Sequence, residues 1–422
     1  MRRFLLCLLL PCTMAAAFAQ TDCRQYEYAQ QQLTANPQQA GVYNNIESFT
    51  RNLSTTVRTG TSGSGTSSIP AIITIPVIIH ILWNTADQNI TGDQVQSQLD
   101  VLNKDYRAAN TDIGKVPSYF MPFVADAGFR FELAKKDPQG RITNGILRKY
   151  TGISNFGMDD RAKYSSIGGD DAWDADKYLN IWVCNAAGGI LGYSSLPGDP
   201  KDRDGVVINT NVFGTLNRSG QFSKGRTATH EIGHWLNLRH IWGDGNCGDD
   251  KVDDTPPQQT PTRGCPSGEK FSCGSTAHGN MYMNYMDFTD DMCMMMFTQG
   301  QRERMRALFE PGGPRYALLS SDALDPNGLP QPAPLPETPA AAAFDVLLYP
   351  NPTAATLNFS FAEGVNGLGR LIRVYNQMGQ LVKSEILSSH QPSMDVTNLR
   401  AGLYFIKVEG IKSRIMARFI KQ

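Results

Sequence analysis

The stretch HEIGHWLNLRH, His230 to His240, holds three of the six histidines in a chain of 422 residues. Residues four apart share one face of a helix, so His230 and His234 can reach a common point with Glu231 beside them. Neutral imidazoles suit zinc, and a carboxylate next to a zinc-polarised water can take its proton. His240 could not join them from a continuing helix, where it would point about 120° away and roughly 9 Å further along the axis. For His240 to be a ligand, the helix must end after His234 and the chain must turn back through a residue of positive φ. That turn falls at position 237. Glycine is the easiest residue there, and Asn237 is the next most tolerant, at a cost of about 1 kcal/mol.

Outward from this stretch, the preceding segments alternate between strand and helix patterns. AIITIPVIIHILW, from Ala71, is dense and β-branched like a buried strand, with Pro76 placing the start of regular pairing at Val77. TGDQVQSQLDVLNKDYRAAN reads as a helix with a Thr91/Gln94 capping pair and one apolar stripe of Val95, Leu99, Leu102 and Tyr106. FRFEL (129–133), LNIWVCN (179–185) and GVVINT (205–210) read as further strands. The order predicts an α+β domain.

Composition sets the surroundings. With 41% hydrophobic residues the chain is long enough for two or three domains, and 39 Lys and Arg against 40 Asp and Glu leave no basic excess for nucleic acid. Residues 1–19 combine two arginines, an apolar run and Ala17-Phe18-Ala19, as in a signal peptide; the alternative, a membrane helix, falls short of the roughly 20 apolar residues a span needs. No later stretch is long and apolar enough either, so a soluble, exported mature protein without a transmembrane segment is expected. Residues 20–70 are polar and end in the flexible TGTSGSGTSS, the layout of a pro-segment and linker, or of a disordered extension. Residues 71–322 hold the histidine stretch. Residues 323–342 form a Pro/Ala-rich linker, and 343–422 alternate and turn at close intervals, which predicts a small all-β sandwich.

HEIGHWLNLRH resembles the long zinc motif HExxHxxGxxH of the metzincin metallopeptidases, with Asn237 in the glycine place. NMYMNYMDFTDD (280–291) is similar to their methionine turn, with Met286 as its methionine. The tryptophan after the second histidine, NYMDFTDD and the GDD-x-x-DDTPPQ run most resemble the pappalysin branch, over residues 74 to about 310. The resemblance implies a mixed twisted sheet, an active-site helix and a loop-rich lower subdomain. It also implies zinc on His230, His234 and His240, Glu231 as the catalytic carboxylate, and peptide substrates laid along an edge strand, for which Gly192 and Tyr193 in GGILGYSSLPG are candidates. Relatives often carry a tyrosine two residues after the turn methionine. Phe288 stands there, leaving oxyanion stabilisation to Tyr285, to Tyr282, or to zinc and backbone donors.

Export makes the remaining cysteines disulfide candidates. Cys247, Cys265, Cys273 and Cys293 allow three pairings; a second zinc is the alternative, though no C-x-x-C pair is present. The family resemblance favours Cys247 with Cys273 and Cys265 with Cys293. Asp249, Asp250, Asp253 and Asp254 repel one another unless solvated or neutralised by a cation, and the resemblance points to structural Ca2+ at Asp253, Asp254 and Thr255. Cys23 in the pro-segment can supply a thiolate to zinc and hold the precursor latent, unless it pairs with Cys184. The last eighty residues resemble the C-terminal sorting domain of type IX secretion cargo, through LYPNP, VYNQMGQLV and LRAGLYFIKV. A generic β-sandwich binding module is the alternative. Together these features predict a secreted, zinc-dependent endopeptidase made as a zymogen, with the type IX machinery as partner. The rival reading is a cell-surface adhesion or scaffold protein with a vestigial zinc site.

Overall fold

β-branched runs and capped apolar stripes become a sheet and helices in the order the sequence suggests, with one addition at the N-terminus. The computed structural model describes residues 22–59, 69–274, 277–327, 346–361, 370–386, 393–408 and 416–422. The signal segment at 1–19, nearly all of TGTSGSGTSS and most of the Pro/Ala-rich linker lie outside them. The chain divides into two compact units, Met1–Gln331 and Pro332–Gln422.

The first unit begins with a two-residue strand, β1 (Asp22–Cys23), and helices α1 (Gln25–Ala35) and α2 (Gln39–Thr59). These helices were missed in a Gln- and Asn-rich segment, although Val42 and Ile46 of α2 pack on Gly198 at helical spacing. Side chains of the following domain anchor them: Tyr28 donates to Asp160 at 2.9 Å, Gln39 to the Gly198 carbonyl at 2.8 Å, and Glu47 pairs with Arg304 at 3.0 Å.

Next come β2 (Ile73–Trp83), α3 (Gly92–Asp105), β3 (Phe129–Leu133), β4 (Ile146–Tyr150), β5 (Leu179–Cys184), β6 (Ile190–Ser194), β7 (Val206–Asn209), α4 (Arg226–Trp235) and α5 (Gln299–Ala307). The sheet runs β1-β6-β7-β5-β2-β3, with β4 also pairing β2; all pairs are parallel except β6 with β7. Pairing of β2 begins at Ile73, earlier than Pro76 suggested. Ile73 and Val77 turn their polar groups toward β3, through Ile73 N–H to Gly128 and Ala134 N–H to Val77. Pro76 therefore faces the other side, where β5 joins only at Val77, and its missing N–H leaves no gap in the ladder.

Thr91 caps α3 by accepting from the Gln94 N–H at 3.1 Å, and Val95, Leu99, Leu102 and Tyr106 are buried as one stripe. Tyr106 then donates to the Thr229 carbonyl at 2.9 Å, fixing α4 against α3. After α4 the chain is loop-rich and is stapled by Cys247–Cys273 and Cys265–Cys293. The unit is thus α+β, with a mixed sheet above and an irregular lower part.

The named strands of the second unit pair antiparallel, with one isolated parallel bridge between Thr353 and Lys421 among the described residues. Strands β8 (Val346–Tyr349), β9 (Thr356–Phe361), β10 (Leu371–Asn376), β11 (Leu381–Ile386), β12 (Ser393–Asp395), β13 (Gly402–Val408) and β14 (Met416–Lys421) form a four-stranded sheet, β11-β10-β13-β14, and a three-stranded one, β12-β9-β8. Val346, Leu357 and Phe359 from one sheet share a core with Ile372, Val374, Ile406 and Phe419 from the other.

Candidate metal centre

The metal centre is assembled where α4 stops. Asn237 has φ 72°, and the helix closes with Asn237 N–H to the His234 carbonyl and Leu238 N–H to the Gly233 carbonyl, both at 2.9 Å. This is the Schellman pattern, in which a left-handed residue satisfies the last carbonyls and reverses the chain. His240 is thereby returned to His230 and His234. Asn237 has further ties: its carbonyl accepts from Arg304 Nε at 2.6 Å, and its side-chain amide donates to Thr50 of α2 at 3.2 Å.

Nε2 of His234 lies 3.0 Å from that of His230 and 3.1 Å from that of His240. Each ring is held from behind. Nδ1 of His230 faces the Tyr285 carbonyl at 2.6 Å, Nδ1 of His234 the Leu238 carbonyl at 2.9 Å, and Nδ1 of His240 the Asp244 carboxylate. Those partners only accept, so the protons belong on Nδ1 and three bare Nε2 lone pairs confront one another. The Cys23 sulfur completes the group, 3.6 Å from Nε2 of His234, and all four ligand atoms lie within 4.8 Å of one another. Four crowded lone pairs repel unless a cation sits among them. A tetrahedral zinc with bonds of about 2.05 Å to nitrogen and 2.3 Å to sulfur sets N···N near about 3.3 Å and N···S near about 3.6 Å. The donor set fits zinc.

All four groups are buried, as is Glu231, whose two oxygens have no hydrogen-bond partner among the described residues. Burial pushes the Glu231 carboxyl up to about 8 and the His230 imidazole down to about 3; it lowers His234 and raises the Cys23 thiol. The pocket on its own therefore favours neutral groups, and a divalent cation would reverse that preference for thiol and carboxyl.

Met286 lies directly under α4: a Cβ on Gly233 would come within 2.5 Å of its sulfur. Trp242 stacks on His240 at 4.3 Å, and Phe288 packs 4.8 Å from the same ring. Phe288 so occupies the position beside the ligands without a hydroxyl. The Tyr285 ring does not replace it, being fully buried 5.6 Å from the Arg226 guanidinium while only its carbonyl faces His230.

Strand β6 lines the site. A Cβ at Gly192 would approach the Glu231 side chain to 2.7 Å, so the backbone passes directly over the carboxylate. The Tyr193 side chain is buried on the far face against Tyr28, at 4.8 Å, so what this residue can offer a peptide is its backbone. The free edge of β6 is covered by β1, with Cys23 opposite Gly192. In the acidic loop, Asp254 caps α5 by accepting from Thr298 at 2.6 Å and from the Gly300 N–H at 2.8 Å, and Thr255 donates to Asp250 at 2.7 Å. Cys184 is a buried free thiol, not paired with Cys23. Asp244, Trp242 and the α1 and α2 anchors escaped the sequence reading. The i+4 spacing of Asp244 from His240 was the available signal.

Three histidines gathered from a helix and the turn that ends it, over a buried methionine and under an edge strand, are the arrangement of a metzincin zinc metallopeptidase. The chain belongs to the pappalysin family of these enzymes. Residues 163–310 match the family described as pregnancy-associated plasma protein-A, and residues 347–422 match the secretion system C-terminal sorting domain. An extracellular metalloprotease of Arthroderma benhamiae is 32% identical over 259 residues, covering 59% of this chain and 76% of that protein. Mature mirolysin of Tannerella forsythia, solved with a cleaved peptide, is 46% identical with a TM-score of 0.59, over 60% of this chain and 97% of that one. A mutant of promirolysin from the same organism is 40% identical with a TM-score of 0.63, over 71% and 96%. The protein is a secreted metalloendopeptidase whose tail addresses it to type IX secretion. No helix among the described residues is long and apolar enough to cross a membrane.

Proposed function

We propose that this chain is the latent precursor of an endopeptidase in which His230, His234 and His240 hold Zn2+, Glu231 is the general base, and Cys23 is the fourth ligand. The observation that carries this reading is the convergence of three bare imidazole nitrogens and one sulfur at spacings a tetrahedral ion requires. Zn2+ bound there supplies a Lewis acid for the scissile carbonyl and the attacking water. Glu231, buried beside the ligands, accepts the proton as water attacks and passes it to the departing amide nitrogen. Tyr285, Leu238 and Asp244 keep the imidazoles in the ligating tautomer. The β6 backbone at Gly192 aligns the peptide in the place taken by β1. No tyrosine is given an oxyanion role.

Latency is supported by Cys23 at the centre, by β1 on the β6 edge, and by the match to promirolysin, which reaches over 71% of the chain against 60% for the mature form. A pocket next to Glu231, lined by Leu191, Phe222, Thr227, Met294 and the buried Asp291, favours a long side chain ending in positive charge. Structural Ca2+ at Asp253, Asp254 and Thr255 belongs to the same proposal and rests on the carboxylate density of that loop.

The decisive experiment compares the matured protein with Glu231→Ala on casein, measuring bound zinc in both. Glu231→Ala is expected to keep its zinc and lose cleavage, and a zinc chelator is expected to silence the parent. Cleavage by Glu231→Ala would overturn the assignment.

A further inference from the structure

We propose that the mature enzyme carries a carboxylate-binding subsite, built on Arg304 and Arg239, which Glu47 of α2 fills in the precursor and an acidic substrate side chain N-terminal to the scissile bond fills afterwards. This rests on the reading that residues 22–59 leave on maturation.

Glu47 meets Arg304 as a fork on a fork: Oε1 accepts from Nη1 at 3.0 Å and Oε2 from Nη2, while Arg239 stands 3.7 Å from Oε2. Paired planar groups of this kind are specific for carboxylate. The Arg304 side chain is only 4% exposed. It is also aimed from behind, because its Nε is fixed on the Asn237 carbonyl at 2.6 Å, a contact that belongs wholly to the catalytic unit. Losing Glu47 therefore removes the partner and leaves the fork in position. With α2 gone, the face of the guanidinium that Glu47 covered is open to solvent and to a replacement anion. Asp250, a carboxylate within reach of the Arg304 charge, is committed: one oxygen accepts from the Val252 N–H at 3.1 Å and the other from Thr255 at 2.7 Å.

The direction of the cleft says what the replacement is. Glu47 and Arg239 line one cavity with His234, Asn237, Leu196 and Pro197, so the carboxylate lies in the space that reaches a metal ligand. β1 runs parallel to β6, and Gln25 beyond it accepts from the Ser194 N–H at 2.9 Å. A substrate running the opposite way along β6 places its residues before the scissile bond past Ser194, toward Leu196 and Pro197. An acidic side chain there is led to Arg304.

The test uses the matured enzyme, identified by N-terminal sequencing, and amidated fluorogenic peptides sharing one scissile sequence, with Glu or Gln scanned through the positions before it. Glu is expected to raise kcat/KM roughly tenfold over Gln at one position, mainly through KM. That ratio is expected to fall toward one in Arg239→Gln and in Arg304→Lys, and as salt rises. Inhibition by acetate or by a cleaved product with a free C-terminus, without any Glu preference, would assign the fork to terminal carboxylates and overturn the proposal. So would equal rates for Glu and Gln at every position, or a Glu preference that both variants retain. A protein that cuts the Gln peptide while still carrying residues 22–59 would overturn the maturation reading, and this subsite with it.

Discussion

Replacing Asn237 with valine isolates the turn that makes the third ligand available. At φ 72° an L-residue costs about 1–2 kcal/mol and a branched Cβ adds about 1 kcal/mol more; since asparagine already bears about 1 kcal/mol, Asn237→Val adds about 1–2 kcal/mol of strain to the turn. The strain has no easy outlet, because Arg304 holds the Asn237 carbonyl and the Ile241 N–H is tied to Met286 at 3.2 Å. Relief comes when the turn opens and His240 leaves the metal. With tenfold in affinity per about 1.4 kcal/mol, zinc binding is expected to weaken about 5- to 30-fold. Asn237→Gly is the control, since both variants lose the amide bond to Thr50 while glycine accepts the backbone freely. Its zinc affinity should match the parent. Competition against a chromophoric chelator on the full chain, with far-UV circular dichroism to verify folding, measures both. Valine holding zinc as tightly as asparagine, or glycine losing as much as valine, would refute the argument.

Cys23→Ala should lose residues 22–59 and gain casein cleavage sooner than the parent, as gel electrophoresis and a timed casein assay would record; a variant that matures no sooner would eliminate the thiol as the latency ligand. Gly192→Ala places a methyl group 2.7 Å from the Glu231 side chain and 3.0 Å from the Val207 carbonyl. Displacing Glu231 by even about 1 Å should lower kcat of the matured enzyme about 100-fold with zinc content unchanged, and an unaltered kcat would show that the carboxylate is not held there. A Ca2+-selective chelator, at constant zinc content, should lower Tm by about 5 °C or more if the acidic loop binds Ca2+ at a hundred times its Kd. An unchanged Tm would remove calcium from the proposal.

What the sequence disclosed was whatever local spacing dictates. HExxH fixes a helical face, and His240 at six residues demands a reversal, so Asn237 could be assigned a left-handed backbone before any coordinates existed. The α3 stripe and the strands were legible for the same reason. Contacts between distant segments were not. Nothing near Tyr28 or Glu47 announces Asp160 or Arg304, more than a hundred residues away; α1 has little apolar periodicity, whereas on α2 Val42, Ile46, Phe49 and Leu53 do form a stripe that the Gln- and Asn-rich composition obscured. The direction of the Tyr193 side chain was not legible either: strand alternation turns every second side chain away from the cleft, and the motif does not reveal which. Pro76 was misjudged because its effect depends on which neighbour its nitrogen faces.

The two disulfides interlock along the chain, Cys247 to Cys273 and Cys265 to Cys293. Every peptide bond between residues 247 and 293 is therefore spanned by at least one bridge. A nick anywhere in that loop-rich region leaves the fragments covalently joined beneath Met286 and the ligands, so a single cut cannot shed either half. For a secreted protease, which meets at least copies of itself, durability then depends on reduction or on repeated attack, and its loop-rich part becomes a region that tolerates damage.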